Sequence, residues 1–409
     1  MNISEKKNIV IVGAGFGGVT AAIKLASGCA SKKFKIMLID KNPYQLYTPA
    51  LYEIAAMPHE NANAVALSHA ITIALEDIAS EKHIDFIQGE LASLNREQKK
   101  ITLKNGALVE YHSLILALGS ETNYFNIPGL AEFALPLKNF NDGVILRNKM
   151  EKLIREKTGV LHIAVGGAGA TGVELAAEFI SFVCRLQKIY NKEQVCRVEV
   201  SLMEATGEIL QGFSPWVVKK ARLRLQQIGV HIKTNTRIVS VNAEEIKTEE
   251  ESIHYDLLVW AGGISGPRIL QSLGLPLNKK GQIEVNQYLE AAEDIFAIGD
   301  NASFTDQSQK PLPGNIPIAE GQARKTAKNI LRAINGQTKK PYRARNKYPY
   351  ILAVGKKYAI ADIIVIRFAG FFGWLLKQLI ELRYFLFILP LKKALPLWIY
   401  TIKTYSAND

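Results

Sequence analysis

Residues 8–18 read NIVIVGAGFGG, and residues 161–172 read LHIAVGGAGATG. Each is an apolar run with strand character that ends in a G-x-G-x-x-G loop and passes into a helical pattern. In such a loop the first glycine allows the tight turn, the second lets the backbone approach a pyrophosphate, and the third lets the helix pack on its strand. The phosphates then meet the unpaired N–H groups and the positive end of the helix. The two loops begin 154 residues apart, at Gly13 and Gly167. They point to an α/β chain with two Rossmann-like dinucleotide-binding domains, and to two dinucleotides held by one protein. A chain that holds two dinucleotides usually moves electrons between them.

The context of each loop is complete. After Gly18 a helical pattern runs from near Phe16 through Val19, Ala22, Ile23 and Ala26, and a second strand, KIMLID, ends on Asp40. A carboxylate there can accept hydrogen bonds from the hydroxyls of an adenosine ribose. It lies 27 residues after Gly13, beyond the usual ~20, and the loop GCASKKF supplies the extra length. In the second copy the helix carries Val173, Leu175, Ala176 and Phe179, and VEVSLME ends on Glu204. Ala205, Thr206 and Gly207 follow, with no basic side chain near enough in sequence to meet a 2′-phosphate, so NADH is favoured over NADPH.

Composition agrees with a globular protein of two or three domains: 409 residues, 48% hydrophobic and 22% charged. Cys29, Cys184 and Cys196 form no C-x-x-C pair and read as reduced thiols. The seven histidines show no i, i+4 pairing, so no metal site is expected. Ile9–Val12 is too short for the core of a signal peptide and belongs to the first cofactor strand.

Between and beyond the loops the pattern suggests nesting. YQLYTPALYEIAA follows Asp40, with Pro49 and small residues that suit a loop over a flat ring, and a mostly helical stretch runs from about Asn63 to Ala79. Strand-like HIDFIQG, KKITLK and YHSLILALG lead to a turn at Gly119. A helical, Lys/Arg-containing stretch precedes the second loop, and HIKTN, RIVSVNAEEIKT and YDLLVWAGG follow it. DIFAIGD and the helix IAEGQARKTAKNILRAI then return to the first pattern. The division expected is residues 1–119 and 283–345 for the first domain, 120–282 inserted within it, and 346–409 as a C-terminal segment.

The order of these motifs resembles the two-dinucleotide-domain flavoprotein oxidoreductases, and among them type II NADH dehydrogenase, the single-subunit NADH:quinone oxidoreductase. The carrying residues are GAGFGG with Asp40, YTPALYE (47–53), LALGS (116–120), GAGATGVELAAE (167–178), VWAGG (259–263) and AIGD (297–300). The resemblance implies an FAD-binding domain with an NADH-binding domain inserted in it, and a hydride passed from NADH to FAD. It assigns Gly13, Gly15, Gly18 and Asp40 to the ADP half of FAD, with Ala14, Phe16, Gly17 and Lys41 beside them. Gly299 and Asp300 fall to its ribityl and phosphate region, Pro49 to the flavin ring, and Ala117, Leu118 and Gly119 to the closing wall. Gly167, Gly169, Ala170, Thr171, Gly172 and Glu204 would hold NADH, and Ala261, Gly262 and Gly263 would let the backbone approach the nicotinamide. Glu174 resembles the glutamate where nicotinamide meets flavin; an equal alternative is a carboxylate stabilising its own helix N-terminus. The cofactors supply the chemistry and the protein supplies orientation.

The electron acceptor rests on the tail. A cysteine-pair substrate is disfavoured by the absence of C-x-x-C, and the related sulfide:quinone reductases need flavin-side cysteines, whereas Cys184 and Cys196 follow the second loop. From Ala359 to Lys403 the chain is apolar and aromatic, yet its uncharged stretches, Phe368–Leu376, Tyr384–Leu391 and Ala394–Ile402, are 8 or 9 residues long, and a spanning helix needs about 20. Lys377, Gln378 and Glu381 share one side, leaving Phe372, Leu375, Leu376, Leu379, Leu382 and Phe385 for an apolar face, with Pro390 and Pro396 dividing the rest. Lys356–Lys403 holds eight basic residues against two acids, a net of +6 within a chain of +12, and Trp374, Trp398 and Tyr400 suit the headgroup level. This reads as a C-terminal amphipathic helix lying in the interface against anionic lipid, on the cytoplasmic face as a peripheral, monotopic protein; a buried core or homodimer contact is the other reading. Basic residues interleaved with Phe and Leu do not suit nucleic acid. A membrane quinone is therefore the expected acceptor, reduced without proton pumping. The A-E-x-Q-A pattern departs from the Ala-Gln pair of many type II enzymes. It leaves Ala319, Glu320 and Gln322 as acceptor-side candidates or ordinary helix-face residues. A redox sensor or scaffold like the apoptosis-inducing-factor relatives, and a reductase of a soluble protein carrier, are the alternatives.

Overall fold

The computed structural model describes residues 6–28, 33–157, 159–190, 195–305, 312–345 and 347–406; Cys29 lies outside them. The run NIVIV forms a strand, Lys7–Val12, whose last four residues are buried. A strand buried on both faces must be covered by helices, which is the environment of a parallel sheet. It pairs in parallel with Phe34–Asp40 on one side and Ser113–Leu116 on the other, Ile9 facing Ile36 and Ser113. Asp85–Gln88 extends one edge of this six-stranded sheet. Ile295–Ala297 extends the other in parallel, Ile295 opposite Leu114, with Glu290–Ala292 antiparallel beyond it. A strand from near residue 296 thus lies beside one from near 115, and the chain between them forms a second sheet.

That second sheet has five parallel strands in the order Leu135–Pro136, Leu257–Trp260, Leu161–Gly166, Val198–Met203 and Val230–Lys233. Its glycine loop opens the helix Ala170–Tyr190, while the first opens Phe16–Gly28. The latter packs along Ile316–Ile334, whose Ala323, Ala327 and Ile330 are buried. The stretch 63–79 is not one helix. Asn63 caps Ala64–Ile71, its side chain accepting from the Ala66 N–H at 2.9 Å; Thr72–Ala74 then forms a short strand against Tyr44–Leu46, and Leu75–Lys82 is helical again.

Two further expectations are corrected. Cys184 and Cys196 are joined in a disulfide, because the helix ends at Tyr190 and the chain turns back to begin a strand at Val198. The C-terminal segment is not helical throughout: Tyr350–Ala353, Ala359–Asp362 and Arg367–Gly370 form an antiparallel sheet before the helices Phe371–Ile388 and Leu391–Ser406. Asp362 ties this sheet to the second domain, its carboxylate accepting from Ser214 Oγ at 2.7 Å and from Arg367 Nε at 3.0 Å. Pro390 separates the two helices, but Pro396 lies inside the second.

The first tail helix is oriented against its expected sides. Gln378 and Glu381 are each 2% exposed, whereas Phe372 is 71% and Leu379 47% exposed. Phe385, expected on the lipid side, is fully buried. The polar side faces the protein, where Lys377 Nζ donates to Tyr52 Oη and Glu53 Oε1, and the apolar side is left outward. Among the described residues no helix is long and apolar enough to cross a membrane.

Candidate functional site

Both glycine loops turn alike, and both are tied to the acid that ends the neighbouring strand. Gly13 and Gly167 have φ of +104° and +97°, a region that L side chains avoid. A Cβ on Gly18 or Gly172 would overlap the carbonyl oxygen of Gly13 or Gly167, which is how closely each helix sits on its loop. Asp40 Oδ2 accepts from the Ala14 N–H at 2.6 Å, and Oδ1 from the Asn42 N–H at 2.8 Å. Glu204 repeats the arrangement: Oε2 accepts from the Ala168 N–H at 3.0 Å, and Oε1 from Thr206 N–H at 3.0 Å and Thr206 Oγ1 at 2.8 Å. Ionised carboxylates offer about four lone-pair sites, so either acid can pin its loop and still accept from a ribose hydroxyl. Burial pushes the Asp40 carboxyl up, opposed by the N–H groups of Asn42 and Ala14 and by Lys41.

The first loop borders a cavity of about 1840 Å³, larger than the roughly 300–1,000 Å³ of a single small-ligand site. Gly13, Gly15, Phe16 and Gly17 form one end with Asp40 and Lys41; Ala117, Leu118, Gly119, Gly299 and Asp300 form a wall, and Pro49 reaches in. Ala14 and Gly18 are buried behind that surface. Ala170, Thr171 and Glu174, from the start of the second loop's helix, open onto the same cavity, as do Ala261 and Gly263; Gly167, Gly169, Gly172 and Glu204 do not. Gly262 is also off the cavity. A Cβ there would overlap the Trp260 indole, and a Cβ on Gly167 would overlap the Gly262 backbone, so close packing requires glycine at this position.

The residues fit an ADP-bearing cofactor at both loops. A Cβ at Gly15 or Gly169 would meet no protein atom within 4 Å, so the missing side chains leave room on the outer side of each loop, where a phosphate would approach. The Gly299–Asp300 turn is held from two sides, one of them backed by Lys138. Gln322 Oε1 accepts from the Gly299 N–H at 2.7 Å, Ser120 Oγ donates to Asp300 Oδ2 at 3.0 Å, and Lys138 Nζ donates to Ser120 Oγ at 2.7 Å. Gln322 is thereby spent on the backbone and does not line the cavity. Ala319 and Glu320 do, with Glu320 paired to Arg324 at 2.7 Å.

Where Pro49, Tyr52, Glu174 and Lys377 line the cavity, its wall is ionisable. Lys377 Nζ donates to Tyr52 Oη and to Glu53 Oε1 at 3.2 Å. Burial pulls this ammonium down, but Glu53, Glu381 and Glu174 outweigh it and hold the group above the ordinary lysine range. Burial pushes the Glu174 carboxyl up to about 8, against Lys377 and the Ala353 N–H, which donates to it at 3.4 Å. Glu174 thus accepts from the tail sheet and not from its own helix N-terminus. Burial likewise pushes Glu381 up to about 7, opposed first by Lys377. Tyr384 lines the cavity too, its ring 4.6 Å from that of Phe16, and its hydroxyl receives the Gln45 side-chain N–H.

Sequence reading did not find Lys377, Glu53, Glu381, Tyr384, Lys138 or Ser120. In sequence Lys377 and Glu381 are i, i+4 neighbours on one helix side, a spacing common on solvated faces, and nothing local marks their burial. Among the described residues no cysteine lines the cavity, and no cluster of three or more metal-ligating side chains occurs.

The sequence profile of the pyridine nucleotide-disulphide oxidoreductases matches residues 7–323. The type II NADH:quinone oxidoreductase of Staphylococcus haemolyticus is 30% identical over 348 residues, covering 81% of this chain and 84% of its own. That of Staphylococcus saprophyticus is 29% identical over 352 residues, with the same shares. Among solved structures, NDH2 of Plasmodium falciparum in complex with NADH superposes with a TM-score of 0.81 at 19% identity, over 98% of both chains. The sulfide:quinone oxidoreductase of Aquifex aeolicus superposes with a TM-score of 0.77 at 18% identity, over 93% of this chain and 91% of its own.

Proposed function

The chain belongs to the pyridine nucleotide-disulphide oxidoreductases, and from that premise we propose that it is a peripheral membrane enzyme that oxidises NADH through a bound FAD and reduces a membrane quinone, without pumping protons. The observation that carries the reading is the single cavity joining the first glycine loop to the start of the second loop's helix and to the tail helix. Bound along the first loop, FAD supplies two-electron chemistry, accepting hydride from a nicotinamide and giving electrons to a quinone.

The chain's own groups do the rest. Gly13, Gly15 and Gly18, with Asp40, hold the ADP half of FAD, and the Gly299–Asp300 turn receives its central part. Gly167, Gly169, Gly172 and Glu204 hold NADH from outside, so that its nicotinamide enters past Ala170, Thr171 and Gly263. Pro49 and Tyr384 bound the ring space, while Ala319 and Glu320 border the acceptor side. Quinone reduction by NADH consumes one proton from solution, and Glu174 is placed to hold one at its carboxyl oxygen up to about pH 8. Lys377 keeps the buried acids around it from repelling one another.

The outward stripe Phe372, Leu375, Leu379 and Leu386, continued by Leu391, Leu395 and Ile399, suits the interfacial region of a leaflet, with anionic lipid drawn by the basic tail. On this reading the protein sits on the cytoplasmic side, where NADH is made. The test is turnover. Purified protein should carry FAD and oxidise NADH when a short-chain quinone is supplied; NADH oxidation that no quinone accelerates would sink the proposal.

A further inference from the structure

One wall of the cavity is not used by the reaction proposed above. The helix Ile316–Ile334 and the chain running back along it place Lys325, Lys328, Lys340, Arg343 and Arg345 on the lining. Among the described residues none of these five is ion-paired, whereas their neighbours Arg324 and Lys339 are matched to Glu320 and Glu290. The heads share one field: burial, then Lys328, Lys340, Arg343 and Arg332, push the Lys325 ammonium down.

Charge is concentrated here. Residues 316–345 hold eight basic residues and one acid, a net of +7. Together with the +6 of residues 356–403 this exceeds the whole-chain +12, so all other residues sum to −1. The two basic segments meet at the cavity, because Ile380 and Arg383 of the tail helix line it as well. Ile380 is 37% exposed and sits beside the outward apolar stripe of that helix. Unpaired cations bordering an apolar stripe are what a surface needs to meet phospholipid: the stripe enters the acyl boundary while the cations meet the phosphates.

We infer that Lys325, Lys328, Lys340, Arg343 and Arg345 form a second lipid-headgroup surface, separate from the tail, that seats the cavity rim on an anionic leaflet so that the acceptor enters from the membrane. The entry of a quinone rests on the function proposed above; the headgroup contact does not.

The experiment compares full-length, flavin-loaded protein with its K325Q/K328Q/R343Q variant on phosphatidylcholine vesicles with and without phosphatidylglycerol. Each cation near an anionic surface contributes up to about fivefold in partitioning, so the variant should bind the phosphatidylglycerol vesicles at least about tenfold more weakly. KM for a long-chain quinone carried in those vesicles should rise with kcat kept, and flavin bleaching by NADH and turnover with a dissolved short-chain quinone should not change. Equal vesicle binding by the two proteins would overturn the inference. So would an equal loss with dissolved quinone, which would mark the residues as part of the chemistry or the fold. Inorganic phosphate that erases the difference at matched ionic strength would assign them to a free anion. Binding of an acidic ferredoxin lost only in the variant would assign them to a protein carrier. If the wild type reduces no quinone, the function proposed above falls, while vesicle binding still decides this inference.

Discussion

The two glycine loops share a turn, a helix start and an acid that pins the loop through a backbone N–H, yet they face different surroundings. The first is built into the wall of the large cavity through Gly13, Gly15, Phe16 and Gly17; the second touches that cavity only through Ala170, Thr171 and Glu174. The turn therefore encodes recognition of an ADP group, and the surroundings decide whether the ligand stays. A cofactor enclosed by Pro49, Ala117–Gly119 and the tail helix should remain bound, and one held on an outer loop should exchange.

The largest effects should separate the loops outright. Gly15→Val and Gly169→Val both place the new Cβ where no other part of the protein lies within 4 Å, so both variants should fold. Gly15→Val should purify without flavin. Gly169→Val should keep its flavin and raise KM for NADH by at least about tenfold, equivalent to ~1.4 kcal/mol; flavin loss from both would erase the distinction. Next are the acids. Asp40→Asn should weaken flavin retention, and Glu204→Gln should weaken NADH binding and narrow its preference over NADPH. Each should cost about 1.5–3 kcal/mol as a hydrogen bond to a charged group is lost, measured by flavin release and by KM.

Glu174 lies where the second loop's helix meets the first loop's cavity, and its variants test that junction. Its carboxyl is raised from 4.5 to about 8. The folded protein therefore keeps a proton that the unfolded chain gives up, and stability falls as pH rises across that window. Glu174→Gln should remove this slope, seen in thermal unfolding between pH 5 and 8.5, and should remove a decline of quinone turnover through about pH 8. A profile unchanged in the variant would leave the carboxyl without a part in proton supply. The smallest effect on rates concerns Cys184, on the second loop's helix, and Cys196, just before the strand that begins at Val198. Reducing a disulfide that closes so short a loop should cost up to about 3 kcal/mol of stability, read by denaturant unfolding, with flavin content and NADH oxidation unchanged.

The parts of the fold written in short-range pattern were legible. IVIV (9–12) and IAV (163–165) announce strands by their apolar runs, and the glycine spacing, Asp40 and Glu204 follow from one strand–turn–helix–strand unit. Glu174 was legible by resemblance, but its neighbours on the cavity's ionisable wall were not, because Tyr52, Glu174 and Lys377 come from three distant parts of the chain. The tail misled for a related reason. An i, i+4 Lys–Glu pair beside leucines reads as a wet face opposite a dry one, and only the tertiary partners Tyr52 and Glu53 make the polar face the inner one. Nothing in the sequence decides whether Gln322 borders the acceptor or is an ordinary helix-face residue; the Gly299 N–H, far off in sequence, takes its side chain. Cys184 and Cys196 could not be paired without knowing that the helix ends at Tyr190 and the chain doubles back.

The most direct measurement of the central claim is anaerobic stopped-flow spectroscopy of the purified flavoprotein. NADH should bleach the flavin faster than NADPH at equal concentration, and a short-chain quinone mixed next should restore the colour faster than dissolved oxygen does. Equal bleaching by the two nucleotides would contradict the part given to Glu204, and restoration by quinone no faster than by oxygen would contradict a quinone as the acceptor.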